Sequence, residues 1–562
     1  MERKYMKKKI AAVTVAASLG AIGAKLIKDK LKEMLDAPDS RRRLTDLGHN
    51  TAMKLVGKIA DGVPDKGIPY LNRYDNSGFL EGNGFFLAAP AENAKWYAGF
   101  SKASVVPEKL VGDYYIGGYL AFPPNKMNGI MNEQMVRAVA LSDNSGRGIH
   151  VFAVIDCIGI SGTDIKDIRL LLKDLISEKN ILSINISATH CHSGIDTDGL
   201  WGDLPAIYKN NKKAIKKGRK DDLISGKNKE FMIHLKETAA DTIRQAVENM
   251  TPGEMYFAQL PIGDYVRDKR PPYVTVNDLT NIRFVPDNGK NEISMVFMAA
   301  HPVCYGDRQR EASRDFPGYL CDRMDSAGVD SMFIQGAEAA VATDRGPHTP
   351  EGLTTDESIK AYGEAIADYV LGFSKTAYKK LPPLINVAIT ELFLPSGNEV
   401  LMLAAKLRAV NNSLVKITMA DDSNKDDKFF DLNFVTETGF AVLGNTLSIA
   451  MVPGELMPEI AIGGAFPDWA SYNGEAWDFP SLKEILGTEI AVAGLCNDFI
   501  GYIVPDNDYG SILAPLHYEE SASAGRKTAS EIVSAFIRLK KKTERFTVKS
   551  SQILTEVPAE NF

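Results

Sequence analysis

Apolar segments that suit buried strands alternate along this chain with segments of helical periodicity. Short apolar runs predict strands over Val151–Ile160, Ser183–Ser187, Glu292–Ala300, Ser331–Gln335, Asn445–Val452 and Ile490–Leu495. Apolar residues at helical spacing predict helices over Asp164–Ser177, Ser225–Met250 and Ala529–Lys541. The alternation predicts a mixed α/β (α+β) fold, in which one large domain has central mixed β-sheets flanked by helices.

Two histidines follow one of these strands. Ser183–Ser187 alternates polar and apolar residues and leads into Ala-Thr-His-Cys-His-Ser-Gly, which ends at Gly194. His190 and His192 are two residues apart, so both rings point to the same side of an extended chain. Two converging imidazoles can begin a zinc site, whereas the alternative is a pair of polar residues in a loop.

Other strands also end in residues that can bind a metal. His301 follows Glu292–Ala300, Glu455 follows Asn445–Val452, and Tyr502 follows the strand that ends near Leu495. Because ligand sites gather at the carboxyl ends of ordered strands, we expect these side chains to meet the two histidines. Imidazole, carboxylate and phenolic oxygen together suit Zn²⁺. Each residue alone also fits a turn or a loop, so the prediction depends on their combination.

Composition and charge narrow the function classes. The 562 residues are 44% apolar and 24% charged, with a net charge of −7, which argues against nucleic-acid binding. The five cysteines are widely spaced without a CxxC pair, so they suggest neither a disulfide scaffold nor a thiolate zinc knuckle. Lys209–Lys220 is dense in positive charge and predicts a solvated surface, or alternatively a rim that meets an anionic substrate or membrane.

The N-terminus predicts a targeting segment. Met1–Lys9 is basic and Ile10–Ala24 is a run of fifteen uncharged residues, shorter than the roughly 20 that span a membrane. We interpret residues 1–27 as a signal peptide or N-terminal membrane anchor, and the protein as secreted or attached to the cell surface. The alternatives are an amphipathic segment continuing through Lys25–Leu35, or a cytoplasmic protein. Residues 28–83 are predicted as a helical or linker segment, 84–545 as the main domain and 546–562 as a tail.

Six ordered blocks resemble the neutral (alkaline, non-lysosomal) ceramidase family. The segment Ala188–Gly194 resembles its A-T-H-T-H-S-G block, and Val452-Pro-Gly-Glu-Leu456 resembles its P-G-E-F block. The other blocks are Ala300-His-Pro302, Leu495–Tyr502 with Tyr518–Ala522, Gly117-Gly-Tyr119 with Gln134–Leu141, and Asp315-Phe-Pro-Gly318. Their order is kept from Val111 to Ile537, so the resemblance spans most of the chain.

The resemblance implies a zinc-dependent hydrolase and assigns residues to roles. It implies that His190, His301, Glu455 and Tyr502 bind the catalytic Zn²⁺. His192 would lie beside the metal as a proton carrier or substrate contact. Arg267 would contact the substrate, with Arg270 as the rival, and Tyr502 or Arg267 would stabilise the oxyanion.

The chain also departs from the family pattern. Where the family has G-D-V-S/N-P, this chain reads Gln-Gly-Ala-Glu-Ala-Ala-Val-Ala-Thr over 335–343, and Ala340 and Ala342 replace the aspartate and the serine or asparagine. A serine mechanism there is excluded, because alanine has no hydroxyl, although Glu338 or Asp344 could compensate. In the loop after His192 we expect Asp196, Asp198 and Trp201 to reshape the pocket. We expect no counterpart of the C-terminal immunoglobulin-like domain of some ceramidases.

The sequence therefore predicts a zinc-dependent amidohydrolase. The expected substrate is a small or lipid-like N-acylated amine, cleaved at its amide bond through a metal-activated water. Membrane association is expected through the N-terminus, and no nucleic acid is expected as a partner. One alternative is an esterase or peptidase on the same fold. The other is a non-catalytic ligand-binding relative, which the altered loop over 336–343 would favour.

Overall fold

The structure, a computed structural model, describes residues 40–418 and 430–548. The predicted signal or anchor over residues 1–27 lies outside the described residues, as does most of the predicted C-terminal tail. None of the described helices combines the length and the apolar character that crossing a membrane requires.

A nine-stranded mixed sheet is the larger of two main sheets in the described residues. In order of pairing, its strands are Val329–Gln335, Glu292–Met298, Asp278–Pro286, Thr251–Pro261, Trp96–Ser104, Met135–Ser142, Ile149–Ile155 and Ile181–Ala188, with Lys379–Leu381 pairing off this path with Thr251–Pro261. The sheet is curved enough for its two edge strands, Val329–Gln335 and Ile181–Ala188, to approach each other. Two strands remote in the pairing order therefore end in the same region.

A second sheet of five strands packs on the first. In order of pairing, its strands are Ile385–Pro395, Phe430–Leu443, Leu447–Met451 and Glu489–Ala493, and the fifth strand, Ser413–Thr418, pairs with Phe430–Leu443. Leu447–Met451 and Glu489–Ala493 are parallel, so their carboxyl ends lie side by side. The facing sides share one apolar core, to which the first sheet contributes Phe152 and Phe297 and the second Val387 and Ile449.

Helices cover the outer faces of both sheets. Gly162–Leu171 and Lys229–Glu248 bury apolar residues against one part of the first sheet, and Asp315–Ser326 with Thr355–Leu371 cover another part. The second sheet is covered by Glu399–Lys406, Pro458–Ile462, Leu482–Leu486 and Thr528–Arg545. The result is a helix–sheet–sheet–helix arrangement, which confirms the predicted mixed α/β class with central sheets flanked by helices.

The predicted elements are found at nearly the expected positions. All six predicted strands are present, and Ser225–Met250 forms the helix Lys229–Glu248, which begins where the Asn228 side chain accepts a hydrogen bond from Phe231 N. The single helix predicted over Asp164–Ser177 is instead two, Gly162–Leu171 and Lys173–Lys179, which meet at Leu172. Lys209–Lys220 lies mostly in the helix Leu204–Lys217, whose lysines are largely exposed, as a solvated surface requires.

The remaining elements connect this framework. The helix Ser40–Asp61 packs against Glu399–Lys406, and Asp46 accepts a hydrogen bond from the Tyr472 hydroxyl. Within the described residues, four two-stranded pairs join distant segments: Phe86–Leu87 with Thr547–Val548, Gly129–Ile130 with Glu311–Ala312, Val266–Asp268 with Val341–Thr343, and Glu455–Leu456 with Tyr502–Ile503. The last two pairs lie next to the site described below.

Candidate metal centre and cavity

His190 follows the edge strand Ile181–Ala188 with its ring held in one orientation. Its backbone is in the left-handed region, with φ 66°, and its Nδ1 lies 2.7 Å from the carbonyl oxygen of Ile158. Because a carbonyl only accepts, Nδ1 carries the proton and donates it. In the neutral ring this leaves the lone pair of Nε2 facing the interior, which is the state of a histidine that binds a metal.

His192 is oriented in the same way by a different segment. Its Nδ1 lies 3.0 Å from the carbonyl oxygen of Gly118. Gly118 has φ +113°, and a Cβ atom there would come within 2.7 Å of the His192 side chain. Only glycine fits, because both the backbone conformation and the space exclude a side chain. This close contact gives the Gly117-Gly-Tyr119 motif a structural role.

Three imidazole Nε2 atoms converge on one point. The Nε2 of His190 lies 3.1 Å from that of His301 and 3.1 Å from that of His192, and the last two are 2.9 Å apart. Burial, and then the nearby His190, lower the pKa of both His192 and His301 well below the ordinary value. Nε2 lone pairs that converge in this way repel one another unless a cation lies between them.

Glu455 and Tyr502 complete the centre from the second sheet. Glu455 Oε2 lies 3.2 Å from His190 Nε2 and 3.9 Å from His301 Nε2. This oxygen is buried, and no group of the described residues donates a hydrogen bond to it. The Tyr502 ring stacks on His301 with centroids 6.5 Å apart. Burial, and then the Glu455 carboxylate, raise the pKa of Tyr502 well above its ordinary value.

Glu338 is a further carboxylate at this centre, beside the four ligands that the resemblance implies. It is fully buried, and neither carboxylate oxygen has a hydrogen-bond partner among the described residues. Its ligand atom lies within 4.8 Å of those of His190 and Glu455, and burial followed by Glu455 raises its pKa well above the ordinary value. The sequence signal was a lone acid in the small-residue run after Ser331–Gln335.

The donor set fits a divalent metal ion. The structure forms two overlapping groups of candidate ligands, His190 with His192 and His301, and His190 with Glu338 and Glu455. A bound cation would satisfy the buried carboxylate oxygens that lack a hydrogen-bond donor and the imidazole nitrogens that face one another. The predicted residues His190, His301, Glu455 and Tyr502 are thus brought together.

Gln335 connects the strand ends that precede His190 and His301. Its Nε2 donates to the carbonyl oxygens of Ala300, at 2.8 Å, and Thr189, at 3.3 Å. Its Oε1 accepts from Ala300 N at 3.1 Å. Thr189 and Ala300 directly precede His190 and His301, so this fully buried amide fixes the spacing of their backbones.

A largely apolar cavity of about 120 Å³ opens beside the centre. Its walls include His190, His192, Glu455 and Tyr502, together with apolar side chains from both sheets: Ile158, Leu200, Trp201, Leu401, Val410, Phe434, Phe499 and Ile500. Asp198 and Asn412 are the other polar side chains in the wall. Burial, and then Asp196, raise the pKa of Asp198 to about 8, so Asp198 is mostly protonated at neutral pH.

The expected reshaping of the loop after His192 has a clear geometry. Asp196 accepts hydrogen bonds from the backbone N–H groups of Asp198, at 2.9 Å, Gly199, at 2.7 Å, and Trp201, at 3.3 Å. This carboxylate therefore holds the loop, while Asp198 and Trp201 reach the cavity wall.

The basic candidates have different environments. Arg267 lies on the strand Val266–Asp268 and pairs with Ala342, and Ala342 also forms an isolated β-bridge with His301. The Arg267 side chain, however, is exposed and does not line the cavity. Its role as a substrate contact stays a prediction. Arg270 is buried and engaged by Asp508, Glu519 and Glu520. Lys269, which sequence reasoning missed, has a charge that further lowers the pKa values of His192 and His301.

The altered loop places small side chains at this edge of the site. Ala340 and Ala342 are both buried. Val341–Thr343 forms a strand with Val266–Asp268, and His301 N donates to Val341 O at 2.9 Å. The segment that replaces the family's G-D-V-S/N-P therefore supports His301 through its backbone.

Comparisons with known proteins identify the fold. A crystal structure of neutral ceramidase from Pseudomonas aeruginosa is similar over 82% of this chain and 76% of that chain, with a TM-score of 0.56 and 13% identity. A structure described as a ceramidase complexed with C2 is similar over 81% of this chain and 76% of that one, with a TM-score of 0.59 and 12% identity. No protein-family model and no curated protein matches the sequence.

Proposed function

From the ceramidase-like fold and the imidazole–carboxylate centre within it, we propose that this chain is a metal-dependent hydrolase of amide bonds. The observation that carries the proposal is the convergence of three Nε2 atoms within about 3 Å of one another. A lone histidine at a strand end would carry no such proposal, but three Nε2 atoms this close to one another and to a buried carboxylate form a ligand set that suits a divalent cation. Zn²⁺ is the proposed ion, because nitrogen and oxygen ligands suit it.

The residues at the centre have distinct proposed tasks. His190, His301 and Glu455 hold the ion. His192 acts as a third nitrogen ligand, since its Nε2 lies as close to the other two as they lie to each other. This differs from the proton carrier or substrate contact that the resemblance implied for His192. Zn²⁺ bound there would polarise the scissile carbonyl and activate water as a nucleophile.

Two acids in the cavity wall stay protonated at neutral pH. Tyr502, with its raised pKa, can donate a hydrogen bond to the carbonyl oxygen as negative charge develops there. Asp198, with a pKa of about 8, can supply a proton to the leaving amine. The metal centre, the Tyr502 hydroxyl and the Asp198 carboxyl group therefore border the same cavity, as amide hydrolysis requires.

The proposed substrate is an N-acylated amine with an apolar, lipid-like acyl group. The cavity wall is largely aliphatic and aromatic, which favours an apolar chain over a charged one. One similar structure is described as a ceramidase complexed with C2, which supports the same class. Because the cavity measures about 120 Å³, we expect short acyl groups to be accepted in this conformation.

Metal analysis and a substrate screen test the proposal. The purified full chain is assayed for bound metal and for hydrolysis of N-acyl amides of increasing chain length, with the matching esters in parallel. Bound metal with amide turnover supports the proposal. Bound metal with ester turnover alone would contradict the choice of bond. Bound metal without turnover would favour the ligand-binding relative that the Ala340 and Ala342 substitutions suggest, and metal-free protein would contradict the centre itself.

We also propose that the basic and apolar N-terminus directs the chain to export or to a membrane surface. The supporting pattern is Met1–Lys9 followed by the uncharged run to Ala24. N-terminal sequencing of the protein recovered from cell fractions tests this. A chain that keeps Met1 and stays in the soluble cytoplasmic fraction would contradict it.

A further inference from the structure

We propose that Glu338 is a second carboxylate ligand of the metal centre, so that one divalent cation is held by three imidazoles and two carboxylates. This inference rests on the proposed function, because it assumes that the centre binds a cation. It adds a ligand that neither the family motifs nor the sequence pattern assigns. It also sets the expected coordination and stoichiometry of the site.

The first argument is the state of the Glu338 side chain. It has no measurable exposure, and neither of its oxygens has a hydrogen-bond donor among the described residues. Ala337 and Ala339 on either side are also fully buried. A carboxylate in such surroundings is costly unless a cation or several donors compensate it. No Lys or Arg side chain of the described residues forms an ion pair with it.

The second argument is where the Glu338 carboxylate lies. Its oxygen, His190 Nε2 and a Glu455 oxygen all lie within 4.8 Å of one another. A Cβ atom added to Gly494 would come within 3.3 Å of Glu338 Oε2. Gly494, which follows the strand Glu489–Ala493, thus leaves room for the Glu338 carboxylate. This carboxylate lies where the two sheets meet, beside the ligands of the centre.

The third argument fixes the number of ions. His190 belongs to both groups of candidate ligands, the one with His192 and His301 and the one with Glu338 and Glu455. Its Nδ1 donates to Ile158 O, so only the single lone pair of Nε2 is available. One lone pair binds one metal ion. The two groups are therefore parts of a single centre, in which two carboxylates offset the charge of one divalent cation.

Mixed ligation by three nitrogens and two oxygens has a chemical consequence. Four ligands suit tetrahedral zinc, whereas a set of five also suits ions that accept more ligands, such as Mn²⁺ and Co²⁺. We expect the centre to bind these ions as well as Zn²⁺. We also expect loss of the Glu338 carboxylate to shift the preference towards Zn²⁺.

Metal binding to the full-length protein tests the inference without reference to activity. Metal-free wild type and Glu338→Gln are titrated with Zn²⁺ and with Co²⁺ in competition with a chromogenic chelator, and the visible spectrum of the Co²⁺ form is recorded. Glu459→Gln is the matched control, because Glu459 is also a buried glutamate but lies outside both ligand groups.

We expect one ion per wild-type chain and a Glu338→Gln affinity lower by roughly 100-fold or more, since even residues that only support a ligand cost 10–100-fold. The Co²⁺ absorption of Glu338→Gln should become stronger as the coordination number falls, while Glu459→Gln should match wild type. Without metal, Glu338→Gln should unfold at a temperature close to that of wild type, because the Glu338 carboxyl group has no hydrogen-bond partner among the described residues to lose. A merely structural role predicts a lower unfolding temperature for Glu338→Gln.

The outcomes separate this inference from the proposed function. A wild type that binds no ion would overturn the proposed function. Binding by wild type with unchanged affinity and Co²⁺ spectrum in Glu338→Gln would overturn the role of Glu338 alone, and two ions per chain would overturn the single centre. If Glu338→Gln does not fold, Glu338→Asp replaces it. Its shorter side chain should also weaken binding, and wild-type affinity there would equally refute the inference.

Discussion

Glu455 and Tyr502 are directly opposite each other in the short parallel pair formed by Glu455–Leu456 and Tyr502–Ile503. Each residue follows a strand of the second sheet, and those strands, Leu447–Met451 and Glu489–Ala493, are themselves parallel neighbours. The pairing holds a carboxylate and a phenol side by side although they are far apart in sequence. Facing them, His190 and His301 come from the first sheet, so the centre lies where the two sheets meet.

Removing one imidazole should remove the metal. We expect His301→Ala to lose bound Zn²⁺ and amide hydrolysis together, because the remaining ligands no longer surround the ion. His234→Ala is the control, since His234 lies on the surface helix Lys229–Glu248 away from the centre. Metal content by elemental analysis and turnover check this. His301→Ala protein with full metal and near wild-type turnover would refute the ligand assignment.

The Tyr502 hydroxyl should matter for turnover more than for folding. We expect Tyr502→Phe to lower kcat by roughly 10²–10³-fold, the usual cost of one oxyanion donor. Steady-state kinetics at neutral pH measure this. Tyr509→Phe is the comparison, because its hydroxyl donates to the Glu520 carbonyl oxygen at 3.3 Å and does not line the cavity. Equal loss of kcat in both variants would argue against the donor role.

Gln335 should act as a positioning residue for the two histidines. Gln335→Ala leaves the buried carbonyl oxygens of Thr189 and Ala300 without their donor, so we expect it to lower the free energy of unfolding by about 3 kcal/mol. We also expect metal affinity to fall about 10–100-fold. Chemical denaturation and metal titration measure the two effects.

The matched control for Gln335 is Gln259→Ala. Gln259, on the first sheet, is likewise a glutamine whose Nε2 donates to a backbone carbonyl oxygen, that of Ile490 on the second sheet, at 3.1 Å. This contact lies away from the centre. This variant should lose some stability and keep its metal affinity. If Gln335→Ala behaves in the same way, the amide serves only the sheet and not the spacing of His190 and His301.

The buried acid Asp198 should make stability depend on pH. Its pKa rises from 3.8 to about 8 on folding, so the native state binds more protons than the unfolded state between these values. Its contribution to stability is present below about pH 4 and is lost as pH rises through about 8. Asp198→Asn stays neutral, so above pH 8 we expect it to be more stable than wild type by on the order of a few kcal/mol.

Denaturation of both proteins from pH 4 to pH 9 checks the Asp198 prediction. The difference in unfolding free energy should grow with pH and level off above about pH 8. A difference that does not change with pH would show that Asp198 is ionised in the folded protein. It would also remove the proposed proton donor for the leaving amine.

Several features of the fold were predictable because they depend on local pattern. Ser183–Ser187 and Val151–Ile160 were recognisable from their apolar residues, and they form adjacent parallel strands. Longer strands such as Thr251–Pro261 and Phe430–Leu443 were not predicted, since polar residues interrupt their apolar pattern. Thr436, Glu437 and Thr438 are nevertheless buried in the second of these, because the packed layers on both sides decide burial there.

The sequence by itself determined the candidate ligands His190, His301, Glu455 and Tyr502 and the class of fold that carries them. Only the tertiary structure decided that the Glu338 carboxylate lies within 4.8 Å of the ligand atoms of His190 and Glu455. The physical reason is the curvature of the first sheet, which brings its edge strands Ile181–Ala188 and Val329–Gln335 together. Local pattern fixes which residues end a strand, whereas the path of the whole sheet fixes which strand ends meet.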